Sequence, residues 1–183
     1  MFRENNKATC RRFIREIFNE GNRSSIRDFL TSDSVHHELG GVSIPAGRGP
    51  EWFADSIDFY RIAFPDLRLE IQDQIAENDR VVTRLRMQGT QKGPLVGIGA
   101  SGRSVDITGI RVDRLSEGKI AESWFHWDSL GMLQQIGALP DLNRNPKTTQ
   151  LKKETGAVEF LKPVLPAVPR TRRPSPTPLR PAA

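Results

Sequence analysis

The sequence lacks most of the residues and motifs that mark common kinds of functional site. Its one cysteine, Cys10, cannot form a disulfide within the chain, which is typical of a reducing compartment. There is no HExxH sequence, and two of only three histidines are adjacent, so no metal site is indicated. The glycine-rich stretch 97–102 lies between predicted strands and indicates a turn rather than a dinucleotide-binding loop. We therefore expect neither a metal nor a cofactor.

Long apolar runs are also absent. No stretch approaches the roughly 18 residues that a membrane-spanning helix needs. The first twelve residues carry several charges and lack the apolar centre of a secretory signal. These absences predict a soluble, cytoplasmic protein that does not associate with membranes.

Charge and proline are unevenly distributed. Residues 141–183 hold nine basic and three acidic residues, so the net charge of +5 belongs to this segment and is poor evidence for nucleic-acid binding. Seven prolines fall within 163–183, and such a segment buries too little apolar surface to offset its ordering entropy. We predict a folded domain at 1–140 and a disordered Pro/Arg-rich tail at 141–183. An SH3-type ligand and an anion-binding arm are alternative interpretations of the tail.

Apolar residues at helical spacing dominate the first third of the chain. Between residues 10 and 18 they recur every three or four positions, which predicts an amphipathic helix that Gly21 ends in a left-handed turn. A short second helix and a short strand at 34–39 follow. Pro50 suits the first turn of a further helix, which Pro65 stops.

From residue 67 onward the apolar period changes to two. Stretches at 67–71, 81–90 and 104–115, and a last one after the turn at 116–118, alternate apolar with polar residues and so predict strands. Helices followed by a meander of long strands predict an α+β domain in which one curved antiparallel sheet wraps the helices.

Four stretches of sequence match one known family in order and spacing. They are FIREIFNEGN (13–22), AFPDLRLEIQDQIAENDRVV (63–82), GTQKGPLVGIGASGRSV (89–105) and RLSEGKIAESWFHWDSLGMLQQIGALP (114–140). Together they resemble the SnoaL-like polyketide (ester) cyclases of the nuclear-transport-factor-2-like superfamily. The resemblance implies a cone-shaped fold with a curved antiparallel or mixed sheet around N-terminal helices. It also implies a cofactor-free enzyme that is often a homodimer or homotetramer.

The same resemblance suggests a function. We interpret the chain as a cofactor-independent cyclase or isomerase of secondary metabolism, acting by general acid/base catalysis on a polyketide- or terpenoid-like intermediate in an apolar cavity. A non-catalytic protein that binds a hydrophobic small molecule is the main alternative. An epoxide-opening cyclase or hydrolase is weaker, because the available set of Asp106, Arg111 and Asp113 does not share one strand face.

The last strand departs from the family pattern where the chemistry is expected. Relatives that close a ring by an aldol step typically read Glu-His-Trp-Asp there, whereas this chain reads Glu122-Ser123-Trp124-Phe125. Phenylalanine cannot transfer a proton, so the usual acid is missing. By strand parity, Ser123, Phe125 and Trp127 share the face that the resemblance places in the cavity.

The histidines and one aspartate are the candidates for catalysis. His37 matches a histidine that relatives often place at the cavity mouth, and we take it as the main proton-transfer group. His36 points the other way on the strand and is expected at the surface. His126 and Asp128 are candidates for a base and its orienting carboxylate, although His126 needs a bulge to face the cavity. Asp128 is more simply explained as a helix N-cap.

Arg111 is the candidate anchor for a charged substrate group. An inward arginine would bind a carboxylate or an enolate oxygen, whereas a surface or interface ion pair with Asp113 or Glu122 is the alternative. The other substrate-binding candidates are residues that either line a cavity or simply form core: Trp52, Tyr60, Ser123, Trp124, Phe125 and Trp127.

Overall fold

The computed structural model describes residues 2–38 and 46–140. The predicted tail at 141–183 lies outside these residues. No helix in the described part of the chain is long and apolar enough to cross a membrane.

The N-terminal helix begins earlier than predicted and changes its winding. α1 spans Phe2–Phe13, and a π-helical segment at Ile14–Asn19 continues it. Because π-helical hydrogen bonds join residues five apart, Phe13 and Phe18 come to one side, with ring centroids 5.7 Å apart. Gly21 then adopts a φ of +67°, the left-handed turn that the sequence predicts.

Two further helices precede the long strands. A 3-10 turn at Arg23–Ser25 leads into α2, Ile26–Phe29, and α3 spans Gly49–Ala63. Pro50 lies in the first turn of α3, where its missing N–H removes no helical hydrogen bond. Phe53 on the buried face of α3 packs into the core, as the helical period predicts.

Six strands of the described residues form one curved mixed sheet. They are β1 (Leu30–Glu38), β2 (Gly47–Arg48), β3 (Arg68–Glu77), β4 (Arg80–Thr90), β5 (Ser104–Ser116) and β6 (Lys119–Trp127), followed by α4 (Ser129–Gln135). Their order is β2-β1-β6-β5-β4-β3. β1 and β6 run parallel, and the other neighbouring pairs of described strands are antiparallel. The predicted α+β class is confirmed. The parallel pair joins β1, the first of these strands in sequence, to β6, the last.

The sheet has a buried inner face and a wetter outer face. On β4 the inner residues Val81 and Leu85 are fully buried beneath the helices, together with Cys10 of α1. The outer residues Arg84 and Arg86 form exposed ion pairs with neighbouring carboxylates, in agreement with their predicted outward direction. This alternation sets which side chains of β1, β5 and β6 face the helices.

Candidate functional site

A cavity lies between α3 and the inner face of the sheet, where β1, β6 and β5 are neighbours. Its lining residues are Phe18, His36, His37, Trp52, Phe53, Ser56, Ile57, Tyr60, Arg111, Ser123 and Phe125. The cavity volume is about 40 Å³, within about 410 Å³ of empty space that extends to solvent. The inner space holds roughly three water molecules. A ring system must therefore lie partly outside it or displace side chains that line it.

Strand register places the polar wall of the cavity. Arg111 on β5 lies opposite Phe125 on β6, and Asp113 lies opposite Ser123. The alternation of β6 stays regular from Glu122 to the end of the strand, so the predicted inward direction of Ser123 and Phe125 is confirmed. Phe125 is therefore part of the cavity wall and cannot transfer protons.

Arg111 and Asp113 form a buried ion pair beneath the cavity. Their exposed fractions are 1% and 0%, and Arg111 Nε lies 2.8 Å and 2.9 Å from the two carboxylate oxygens of Asp113. Arg111 Nη2 is 2.7 Å from Asp113 Oδ1 but is not aligned to donate a hydrogen bond to it, and has no other partner among the described residues. The alternative that Arg111 forms an ion pair with Asp113 is therefore confirmed. The expected surface position is wrong, because the pair is buried.

Four aromatic rings surround the guanidinium of Arg111. The ring centroids of Phe13, Phe53, Phe125 and Phe18 lie 4.9, 5.4, 5.9 and 6.0 Å from its Cζ. The π-helical turn supplies two of these rings, since it brings Phe13 and Phe18 to one side. Rings at this distance attract a cation and exclude water, so the charge of Arg111 acts at low dielectric.

His36, expected at the surface, is instead a buried cavity residue. It is 4% exposed, and the prediction of exposure is wrong. Its Nδ1 lies 2.7 Å from Ser123 Oγ, and its Nε2 lies 3.1 Å from Ser34 Oγ. The ring stacks on Trp52 at a centroid distance of 5.7 Å and an angle of 12°.

The environment of His36 keeps its imidazole neutral. Burial lowers the pKa of His36 to about 3, and the positive charge of Arg111 and the neighbouring His37 act in the same direction. A neutral imidazole has one N–H donor and one bare nitrogen, so its two serine partners play different roles.

His37 borders the cavity, but its imidazole belongs to the opposite face of the sheet. Its Nε2 lies 2.9 Å from Glu122 Oε1, and its ring stacks on Trp124 at 5.3 Å and 11°. The hydrogen bond from His37 and the ion pair with Arg114 hold the pKa of Glu122 below its usual range. His37 thus lies at the border of the cavity with its Nε2 occupied by Glu122, whereas the buried imidazole of the cavity is that of His36.

His126 and Asp128 do not meet in the cavity. His126 is exposed on the outer face, where Nδ1 lies 3.1 Å from the carbonyl of Trp127, and no bulge redirects it. Asp128 caps α4: its Oδ1 accepts a hydrogen bond of 2.8 Å from the backbone N–H of Gly131. The capping interpretation is confirmed. A base–carboxylate pair of these two residues has no geometric support.

The predicted aromatic residues divide between cavity and surroundings. Trp52 and Tyr60 of α3 line the cavity. Trp127 is buried against Phe125, with ring centroids 4.3 Å apart, and supports the wall from behind. Trp124 lies on the outer face below the guanidinium of Arg80, so its proposed contact with substrate is corrected.

Sequence reasoning missed His36, Ser34 and the inward Asp113. Two adjacent strand residues always face opposite ways, so the choice between His36 and His37 depends on the register of β1. That register is set by the parallel pairing of His36 with Ser123, which are 87 positions apart in the chain. Val35 is apolar yet lies on the outer face with His37, so hydrophobic alternation favours the wrong histidine. Knowing the β1–β6 pairing would have been sufficient to find His36.

The sequence and the fold match a known class of protein. The family profile of SnoaL-like polyketide cyclases matches residues 8–136. The chain therefore belongs to the SnoaL-like polyketide cyclase family, with the nuclear-transport-factor-2-like fold.

Three of the similar proteins come from streptomycetes. Aklanonic acid methyl ester cyclase DauD of Streptomyces sp. (strain C5) is 30% identical over 126 residues, which cover 67% of this chain and 76% of DauD. Aklanonic acid methyl ester cyclase DnrD of Streptomyces peucetius is 29% identical over 128 residues, 67% of this chain and 84% of DnrD. The structure of TsrD from Streptomyces laurentii superposes with a TM-score of 0.66 at 29% identity, covering 75% of this chain and 98% of TsrD.

Proposed function

We propose that this protein closes a ring in a polyketide ester by an intramolecular aldol addition, without a cofactor. The observation that carries the proposal is the buried guanidinium of Arg111, which lines an aromatic cavity. Two relatives bear names that specify cyclisation of aklanonic acid methyl ester, and this substrate class is the one we propose here.

The reaction rearranges bonds without changing composition. A base removes a proton from the carbon next to a carbonyl, and the resulting enolate carbon bonds to a second carbonyl carbon of the same molecule. The proton then returns to the second oxygen, which becomes a hydroxyl group. Substrate and product have equal mass, and negative charge develops first on one oxygen and then on the other.

Arg111 supplies positive charge that stabilises the oxyanion formed in this reaction. A fixed cation at low dielectric stabilises a developing oxyanion far more than one in water does, and removal of such a donor typically costs 100- to 1,000-fold in rate. Asp113 holds the guanidinium in place: its carboxylate accepts hydrogen bonds from Nε and lies 2.7 Å from Nη2. We assign Arg111 to the enolate oxygen, and Trp52, Tyr60 and Phe125 to the walls that contact the rings of the substrate.

The alternative is a binding protein of the same fold. Phe125 in place of the usual acid favours it, because the group that removes the proton must be another one. Both hypotheses use the same cavity and the same arginine, so only a chemical product separates them.

The test is incubation of the purified protein with aklanonic acid methyl ester in the presence of EDTA. We expect a product of unchanged mass with one new ring, followed by mass spectrometry and NMR. The double variant Arg111→Met/Asp113→Leu removes the charge without leaving either partner buried alone, and its kcat should fall at least about 100-fold. Arg84→Met on the outer face is the matched control and should cyclise the ester at the wild-type rate.

The opposite outcome is equally clear. Ester that binds tightly but is recovered unchanged after long incubation would contradict the cyclase and support the binding protein. Turnover by the double variant at the wild-type rate would remove Arg111 from the mechanism.

A further inference from the structure

We propose that Ser123 donates its hydroxyl proton in a hydrogen bond to a substrate oxygen, and that Ser34 and His36 are positioning residues that fix this direction. The proposal rests on the proposed function, since it assigns a second donor to the oxygen that becomes charged there. It adds residues that the family pattern does not supply, because Ser123 stands where relatives typically have a histidine.

Three polar side chains form one buried hydrogen-bonded chain. Ser34, His36 and Ser123 are 0%, 4% and 2% exposed. The chain runs from Ser34 Oγ to His36 Nε2 at 3.1 Å, and from His36 Nδ1 to Ser123 Oγ at 2.7 Å. His36 and Ser123 line the cavity, whereas Ser34 does not.

Each buried hydroxyl proton needs an acceptor, and this requirement fixes which group donates in each of the two hydrogen bonds. Ser34 Oγ has no hydrogen-bond partner other than His36 within residues 2–38 and 46–140. If Nε2 carried the ring proton, the hydroxyl proton of Ser34 would be buried without an acceptor, which is costly. The ring proton therefore lies on Nδ1, and Ser34 donates to the bare Nε2.

This direction leaves one proton for the substrate. Nδ1–H of His36 donates to Ser123 Oγ, so the hydroxyl proton of Ser123 cannot point back at the ring. No acceptor for it exists among the described residues, and Ser123 borders the cavity. A carbonyl or enolate oxygen of the substrate is the acceptor that completes the chain.

Neutrality of His36 makes the arrangement stable across the physiological range. Burial and the charge of Arg111 keep the pKa of His36 at about 3, so the imidazole does not gain a second proton. A protonated ring would donate from both nitrogens and reverse the role of Ser34. The oxygen that Ser123 contacts then lies in the same cavity as a second polar group, the guanidinium of Arg111.

The first experiment needs no substrate. Nitrogen-15 NMR of histidine-labelled protein reports which ring nitrogen of His36 carries the proton. We expect a neutral ring with the proton on Nδ1 from pH 5 to 8. Ser34→Ala should redistribute the proton toward Nε2, and Ser34→Thr, which keeps the hydroxyl, should retain the wild-type spectrum. A wild-type ring protonated on Nε2 would overturn the proposal.

The second experiment measures the donor itself. With aklanonic acid methyl ester, Ser123→Ala should lower kcat about 100-fold with KM changed less than about threefold, as expected for a lost oxyanion donor. Ser34→Ala should lower kcat about 10-fold, and Ser34→Thr should restore it. Ser116→Ala is the control and should keep the wild-type kcat, because Ser116 is an exposed serine at the end of β5 and does not line the cavity.

A binding assay separates failure of this proposal from failure of the cyclase. Anthraquinone-2-sulfonate offers ring carbonyl oxygens, and Ser123→Ala should weaken its binding roughly 3- to 10-fold, the usual effect of one lost hydrogen bond. Wild-type binding that depends on Ser123, without turnover of the ester, would contradict only the cyclase. Equal Kd and equal kcat for wild type and Ser123→Ala would overturn the donor and leave the cyclase standing. A wild-type protein that neither binds nor cyclises would overturn both.

Discussion

His36 and His37 are neighbours in one strand, yet they occupy opposite kinds of environment. His36 faces the helices, is almost fully buried and bonds two serine hydroxyls. His37 faces outward, is half-buried and pairs with the carboxylate of Glu122. The same contrast continues on the neighbouring strands, where the Arg111–Asp113 pair is buried and the Arg114–Glu122 pair is partly exposed. Ion pairs of the same chemistry therefore contribute differently on the two faces.

The difference shows that the contribution of a charged group to stability depends here on the sheet face it occupies and not on its residue type. On the outer face, water screens each ion pair, and losing one partner costs little. On the inner face, each charge depends on its partner, because no solvent replaces it. The largest effects of substitution should therefore follow the inner face.

Asp113→Ala should give the largest loss of stability. It leaves the guanidinium of Arg111 buried without its partner, which typically costs about 3–5 kcal/mol of unfolding free energy. The double variant Arg111→Met/Asp113→Leu should recover most of that loss, since both charges are gone. Urea unfolding of the three proteins measures the effect. A single variant as stable as the double one would mean that water reaches Arg111, and the contrast between the faces would be lost.

Acidification should destabilise the protein through His36. Its pKa is about 3 in the folded protein and about 6.5 when unfolded, so between these values the unfolded chain binds more protons. Stability is then full above pH 6.5 and falls as the pH decreases, by up to about 1.4 kcal/mol per pH unit. Unfolding free energies at pH 6.5 and pH 5, a range above carboxylate titration, should show this slope in the wild type and not in His36→Gln. Equal slopes would mean that the folded protein protonates His36.

Glu122→Gln should give the smallest effect. This substitution removes the outer partner of His37 and Arg114, and partly exposed pairs contribute about 0–1 kcal/mol. Cyclisation should be unaffected, since Glu122 faces away from the cavity, one position from Ser123. The urea midpoint and the rate with aklanonic acid methyl ester are the measurements. A loss comparable to that of Asp113→Ala would show that the outer cluster is also desolvated.

Local sequence patterns were sufficient for the elements of the fold. The left-handed Gly21, the start of α3 at Pro50 and the long alternating strands follow from rules that act over a few residues. The shared face of Ser123 and Phe125 also follows, because parity within one strand is local; the resemblance to relatives indicated that this face is the inner one. The cap formed by Asp128 is equally local, since its acceptor and donor are three residues apart.

The composition of the site depends on contacts that local patterns do not encode. The choice of His36 over His37 depends on pairing between the first and last long strands, and the burial of Asp113 depends on helices packing over β5. The π-helical turn that brings Phe13 and Phe18 to Arg111 differs from a regular α-helix by its hydrogen bonding alone, and the apolar period of residues 10–18 fits both. The resemblance to relatives supplied the fold but did not indicate that His36 is the buried imidazole of the cavity.

The parallel contact of β1 with β6 also has a consequence for biosynthesis. His36 and Ser123 are 87 positions apart in the chain, so a ribosome must deliver nearly the whole domain before the two can meet. A nascent or truncated chain that ends before β6 contains His36 without Ser123. The hydrogen bond between them forms only when β6 pairs with β1.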